Sequence, residues 1–148
     1  MVKFANQAEL NNALVNFRQT QTGWVLITYK TPTELEYKQS GTDIAALASL
    51  LEDNQMAYIL IRLEYTPNDP GFKEGGLDNK ANFKDIFISW TGPKVGILER
   101  GKKSEHRGDV QALLQPHHAD ISAINKANFN AATIKDRANP LSGSHVID

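Results

Sequence analysis

The pattern of hydrophobic and polar positions predicts two long strands that are buried on both faces. Residues Met56 to Tyr65 and Ile86 to Trp90 are near-continuous apolar runs rich in β-branched and aromatic residues. Successive side chains of a strand point to opposite faces of the sheet, so such runs need cover on both sides. Both strands are therefore predicted to lie in the middle of a sheet.

Before these strands, the pattern predicts a helix, a hairpin and a second helix. Apolar residues between Gln7 and Gln19 recur at helical spacing, and Asn6 opens a capping box in front of them. Two strands follow, from Trp24 to Lys30 and from Leu35 to Gln39, with a proline-containing turn between them. Thr42 is the predicted N-cap of the second helix.

Turn-forming residues separate the two long strands, and a bent helix follows them. The stretch from Thr66 to Asn82 is rich in Pro, Gly, Asn and Asp, and a loop of this length is either functional or mobile. The helical pattern starts at about Ile97 and becomes firmer up to Gln115, with Ser104 as a candidate cap.

The last part of the chain predicts a short strand, a final helix and a tail. The strand covers His118 to Ile124, and Asn125 is expected to cap a helix that ends near Arg137. The polar segment from Asn139 is expected to fray as a flexible tail over residues 139–148. Residues 1–138 then form a single domain.

This order of elements predicts an α/β fold. The economical arrangement is a mixed sheet of about five strands with helices on both faces, because the hairpins give antiparallel pairs and the helical crossovers allow parallel ones. A chain of 148 residues is long enough to bury one sizeable core.

Composition excludes several functional classes. The formal net charge is −1, so no overall charge favours binding to nucleic acid or to an anionic membrane. The chain has no cysteine, which excludes a disulfide scaffold and a thiol nucleophile. No apolar segment approaches the ~20 residues of a membrane span, and the N-terminus does not resemble a signal peptide. We therefore expect a cytoplasmic monomer that needs no cofactor.

A local basic cluster is the strongest functional feature. Lys84 lies at the start of the second long strand, and Arg100, Lys102, Lys103 and Arg107 follow that strand. We predict that these five side chains converge on one rim of the molecule. The alternative is that they form a solvated helix face, which is the usual meaning of such charge patterns.

The segment FKDIFISWTGPKVGILERGKK, which starts at Phe83, resembles the signature of the actin-depolymerising-factor homology (ADF-H) domain. Within that family it is most similar to the coactosin group. The resemblance implies the mixed-sheet fold and a non-enzymatic module of the actin cytoskeleton that docks on the sides of actin filaments. Ile97 and Leu98 are the expected apolar contacts.

The resemblance also implies which residues bind actin. The expected contacts are Lys84, Arg100, Lys102, Lys103 and Arg107, with Lys126 and Lys135 as secondary filament contacts. Coactosins place several basic residues before the position of Lys84, where this chain has Ala81-Asn82-Phe83. A scaffold of the same fold with weak or no actin binding therefore stays open as an alternative.

A metal-binding domain is the less favoured alternative. His117, His118 and Asp120 stand close together, and strand alternation would put His118 and Asp120 on one face. Two ligands without a third nearby are a weak signal for a metal site.

Overall fold

A computed structural model describes residues 2–20, 22–65 and 82–148. The loop predicted from Thr66 falls on residues 66–81 and lies outside the described residues. None of the helices in the described part is long and apolar enough to cross a membrane.

The described residues form seven strands and five helices. The strands are β1 (Lys3–Phe4), β2 (Gly23–Thr31), β3 (Glu34–Gly41), β4 (Met56–Tyr65), β5 (Asn82–Thr91), β6 (Ala119–Ala123) and β7 (Val146–Ile147). The helices are α1 (Gln7–Gln19), α2 (Ile44–Leu50), α3 (Ile97–Lys103), α4 (His106–Leu113) and α5 (Ala131–Ala138).

The strands form one mixed sheet in the order β1-β3-β2-β4-β5-β6-β7. The β2–β3, β2–β4 and β4–β5 pairs are antiparallel, whereas β1–β3, β5–β6 and β6–β7 are parallel. The two long strands β4 and β5 occupy the centre, as their apolar sequences predicted. The sheet is wider than the expected five or so strands because β1 and β7, of two residues each, extend its edges.

Helices cover both faces of the sheet, which confirms the predicted fold class. On one face, Leu47 of α2 and Ile134 of α5 pack in a core with Trp24 and Trp90. On the other face, Phe17 of α1 and Val110 of α4 belong to a separate core cluster. We call these the α5 face and the α4 face.

Three predicted helix caps were wrong, and the capping box at Asn6 does not form, because the Asn6 side chain accepts no hydrogen bond from α1. Asp43 caps α2 in place of Thr42, since its carboxylate accepts a hydrogen bond from the backbone N–H of Ala45 at 3.1 Å. Asn130 caps α5 in place of Asn125, whose side chain instead stabilises a turn. Glu105 occupies the N-cap position of α4 in place of Ser104, which is the C-cap of α3 and donates its hydroxyl backward to a carbonyl of that helix.

The end of the chain differs from the expected flexible tail. Val146 and Ile147 pair with β6, and the backbone N–H of Ile124 donates to the Ile147 carbonyl at 2.9 Å. Ile147 is fully buried in the core of the α5 face. A single aliphatic side chain with a core position thus anchors a segment whose composition is otherwise typical of a loop.

A buried charge network ties the α4 face together. Asp85 is only 4% exposed and accepts two hydrogen bonds from Arg62, at 2.6 and 2.9 Å. Arg18 donates to the same carboxylate at 2.5 Å and to the Leu114 carbonyl at 3.0 Å. The hydrogen bonds with Asp85 raise the pKa of Arg62. The network joins the end of α1 to the centre of the sheet and to the end of α4.

Candidate functional site

Helix α3 contributes nothing to either core. None of its residues is buried, and Ile97 and Leu98 are 86% and 80% exposed. Burying each of these side chains would stabilise a complex by ~1.5–3 kcal/mol. The free chain does not have this stabilisation, so a partner that covers the two residues could gain it. A helix that exposes adjacent aliphatic residues and contributes none to a core is typical of a docking surface.

Two predicted cations lie on the same helix and are also exposed. Arg100 and Lys102 are both exposed residues of α3. We call Ile97, Leu98, Arg100 and Lys102 the α3 patch. It combines apolar area with positive charge, which suits an acidic protein partner.

Lys103, also a predicted contact, has a different role. Its side chain is only 11% exposed, and its ammonium group lies 3.5 Å from the Glu99 carboxylate. The same nitrogen lies 4.2 Å from the ring centroid of Tyr29, within the range of a cation–π interaction. Lys103 therefore holds α3 against the end of β2.

A buried aromatic group supports the junction between α3 and α4. The Tyr29 hydroxyl lies 2.7 Å from His106 Nδ1 and 3.3 Å from the Tyr58 hydroxyl. Burial raises the pKa of both phenols above their ordinary value. Sequence reasoning missed this group, because tyrosines in predicted strands give no signal beyond β propensity.

Arg107 lies beside the α3 patch, but its guanidinium already forms an ion pair within the chain. It forms an ion pair with Asp120, which also accepts a hydrogen bond from Gln111. Its guanidinium carbon is 6.0 Å from the ring centroid of Phe87, and its side chain is 37% exposed. Arg107 also lines a cavity together with Arg100 of α3.

Lys84 does not join the other four basic residues. Its ammonium group lies 4.9 Å from the ring centroid of Tyr65, and that of Lys135 lies 5.2 Å from the same ring. We call Lys84 and Lys135 the β5–α5 patch. Lys84 shares the α5 face with Ile86 and Ile88, by strand alternation, whereas Arg107 contacts the α4 face.

The two patches also lie at opposite ends of β5. Lys84 is paired with Leu63 near the start of the strand, whereas Thr91, paired with Met56, leads toward α3. The prediction that five cations converge on one rim is therefore wrong. Arg100, Lys102 and Lys103 lie on α3 and Arg107 lies on α4, whereas Lys84 lies with the secondary candidate Lys135.

Lys126, the other secondary candidate, belongs to neither patch. The residue is exposed, but its ammonium group donates to the carbonyl of Leu51 at 2.8 Å. This hydrogen bond fastens the segment before α5 to the end of α2. This contact within the chain explains the position of the Lys126 side chain without any contact to actin.

The histidine alternative finds no support in the geometry. His118 Nδ1 accepts a hydrogen bond from the backbone N–H of Asp85 at 3.0 Å, and Asp120 is held by Arg107. His117 stacks on Phe87 with ring centroids 5.6 Å apart. Within the described parts of the chain, no group of three or more His, Cys, Asp or Glu residues could hold a metal ion.

Comparison with solved structures gives the same fold at low sequence identity. A crystal structure of human coactosin-like protein matches with a TM-score of 0.71 and 17% identity, covering 91% of this chain and 95% of that chain. Mouse coactosin, described as an actin filament binding protein, matches with a TM-score of 0.67 and 18% identity, covering 97% of this chain and 94% of that chain. The cofilin homology domain of a yeast actin-binding protein matches with a TM-score of 0.66 and 15% identity, covering 90% of this chain and 94% of that chain.

Sequence comparison identifies the family over nearly the whole chain. No curated protein sequence matches. The family profile described as cofilin/tropomyosin-type actin-binding protein matches residues 3–139. The chain therefore belongs to the cofilin/tropomyosin-type family of actin-binding proteins.

Proposed function

We propose that this protein is a non-enzymatic module that docks on the sides of actin filaments. It acts as a monomer of the cytoplasmic actin cytoskeleton and binds neither nucleic acid nor membrane. Membership of an actin-binding family supports the partner. The observation that carries the docking mode is α3, which buries none of its own residues while exposing two aliphatic side chains beside two cations.

The apolar pair of the α3 patch supplies most of its affinity. Ile97 and Leu98 together offer ~3–6 kcal/mol when buried, by the usual gain for a large aliphatic side chain. Exposed ion pairs made by Arg100 and Lys102 contribute only ~0–1 kcal/mol each. The cations instead orient the encounter with an acidic surface and exclude unsuitable partners.

Two patches that face different directions favour a filament over a single actin subunit. Helix α3 contacts the α4 face through Lys103 and Tyr29, whereas the β5–α5 patch lies on the α5 face near the start of β5. A filament presents neighbouring subunits, so both patches can be engaged in one binding event. The second contact then forms at a high effective concentration.

Co-sedimentation with filamentous actin tests the proposal. Leu98→Ser removes exposed apolar area from the α3 patch, and Leu141→Ser is the matched control because Leu141 is 91% exposed elsewhere. We expect Leu98→Ser to weaken filament binding about tenfold, which corresponds to ~1.4 kcal/mol. Leu141→Ser should pellet as the unchanged protein does. Equal pelleting of both variants would exclude the α3 patch as the docking surface.

A further inference from the structure

A small cavity of 280 Å³ lies between the α3–α4 junction and the ends of the central strands. Arg100, Ser104 and Arg107 line it from the helical side. Two guanidinium groups that share a cavity with a hydroxyl form a favourable environment for an oxyanion. The docking mechanism proposed above does not use this hydroxyl.

The backbone at the junction puts these three side chains on one helical face. Ser104 (φ −61°, ψ −33°) and Glu105 (φ −69°, ψ −19°) both have right-handed helical dihedrals, although the hydrogen-bond pattern divides α3 from α4. Arg100 precedes Ser104 by one helical turn, and Arg107 follows it by nearly one. Residues at these spacings have Cβ atoms ~5–6 Å apart.

Ser104 is accessible and chemically available. It is exposed, and its hydroxyl donates only to the carbonyl of Gly101 one turn earlier, at 3.0 Å. The preceding residues Arg100, Lys102 and Lys103 give it a basic N-terminal flank. Protein kinases select substrates in part by such charge patterns.

We propose that Ser104 is a phosphorylation site for a serine/threonine protein kinase that prefers basic flanking residues. The Ser104 oxygen attacks the γ-phosphorus of ATP, the bond from that phosphorus to the β–γ bridging oxygen breaks, and ADP leaves. The hydroxyl proton passes to the kinase's catalytic aspartate. The new phosphate is then held between Arg100 and Arg107.

The modification would switch off the α3 patch, a consequence that rests on the proposed function. A phosphoserine carries about −1.5 to −2 charge at neutral pH. It would neutralise Arg100 of the patch and compete with Asp120 for Arg107. An acidic partner would then meet a patch whose charge has been cancelled or reversed.

The first experiment measures phosphorylation without actin. The protein is incubated with ATP and a basic-directed kinase, and intact mass with fragmentation locates the phosphate. We expect one phosphate on Ser104 and none on the Ser104→Ala variant at the same enzyme dose. Phosphate that appears elsewhere, with Ser104 unmodified, would overturn the site.

Phosphorus NMR then tests capture of the phosphate by the arginines. The second pKa of the phosphoserine should fall below its usual value of ~6, because two cations stabilise the dianion. It should return toward ~6 in the phosphorylated Arg100→Ala variant. An unshifted pKa in the parent phosphoprotein would contradict the proposed arrangement.

Filament co-sedimentation tests the regulatory consequence. The phosphoprotein should bind filaments at least fivefold more weakly than the unmodified protein, and phosphatase treatment should reverse the loss. Ser49→Glu is the matched control for Ser104→Glu, because Ser49 is exposed on α2 and makes the same backward hydrogen bond. Equal binding of phosphorylated and unmodified protein would overturn the regulation. If the unmodified protein fails to pellet, the proposed function fails, while the mass and NMR results still decide the site.

Discussion

Replacing Asp85 with alanine removes the shared acceptor of two arginines from a nearly closed site. The carboxylate is 5% exposed, whereas the side chains of its partners Arg18 and Arg62 are 26% and 16% exposed. In Asp85→Ala no carboxylate balances the charges of the two guanidinium groups, which stay partly desolvated. The variant also loses the link between the ends of α1 and α4.

The expected cost follows from the burial of the network. Removing one partner of a buried ion pair destabilises a protein by ~3–5 kcal/mol, because the other charge is left uncompensated. The partial exposure of Arg18 and Arg62 lets water reach part of each group, so we expect the lower end, ~3 kcal/mol. A domain of this size is stable by only ~5–15 kcal/mol, and the variant should still fold.

Urea unfolding followed by tryptophan fluorescence measures this cost. Trp24 and Trp90 are 2% and 1% exposed and report on the core of the α5 face. The control is Asp136→Ala, which removes a surface ion pair with Arg137 and should cost ~0–1 kcal/mol. If Asp85→Ala cost no more than Asp136→Ala, the assignment of Asp85 as a tertiary anchor would be refuted.

Three further predictions concern packing, pH and the second patch. Gly92→Ala should lower the free energy of unfolding by at least ~1–3 kcal/mol in the same urea assay, because an added Cβ collides with the Asp53 backbone. Burial raises the pKa of Tyr29, so the unfolded state loses the phenol proton at a lower pH than the folded state does. The free energy of unfolding should therefore stay constant below pH ~10 and fall above it. This fall should be less steep in Tyr29→Phe than in the unchanged protein. Urea unfolding midpoints of both proteins at pH 9 and pH 11 check this, and an equal loss of stability in the two proteins would contradict it. Lys84→Ala combined with Lys135→Ala should weaken filament pelleting severalfold at low salt, and unchanged pelleting would count against the β5–α5 patch.

The central fold could be predicted because its apolar patterns are long. The predicted strand from Met56 to Tyr65 coincides with β4, and the predicted helix from Gln7 to Gln19 coincides with α1. Each element has enough residues for its periodicity to stand out from chance. The edges β1 and β7 have two residues each, and so short a segment has no period to detect.

Helix caps were less predictable because several residues nearby could do the same chemistry. Thr42 and Asp43 are adjacent and both can accept a hydrogen bond from a helix N-terminus. Asn125 and Asn130 offer the same choice before α5. Tertiary packing decides between them, since the buried Phe129 lies directly before the cap that is used.

The basic residues could be found from sequence, but their grouping could not. Strand alternation already puts Lys84 on the face of Ile86 and Ile88. Which helix covers that face depends on the path of the chain, and the answer is α5 with Lys135. The role of Lys103 was hidden for a similar reason, because its partner Tyr29 is distant in sequence.

The affinity of Leu98→Ser for actin filaments, measured by co-sedimentation beside Leu141→Ser, tests the role of α3 most directly. We predict about a tenfold loss for the first variant and no change for the second, because only Leu98 lies on α3. Identical binding curves for the two variants, with the parent protein pelleting normally, would contradict it.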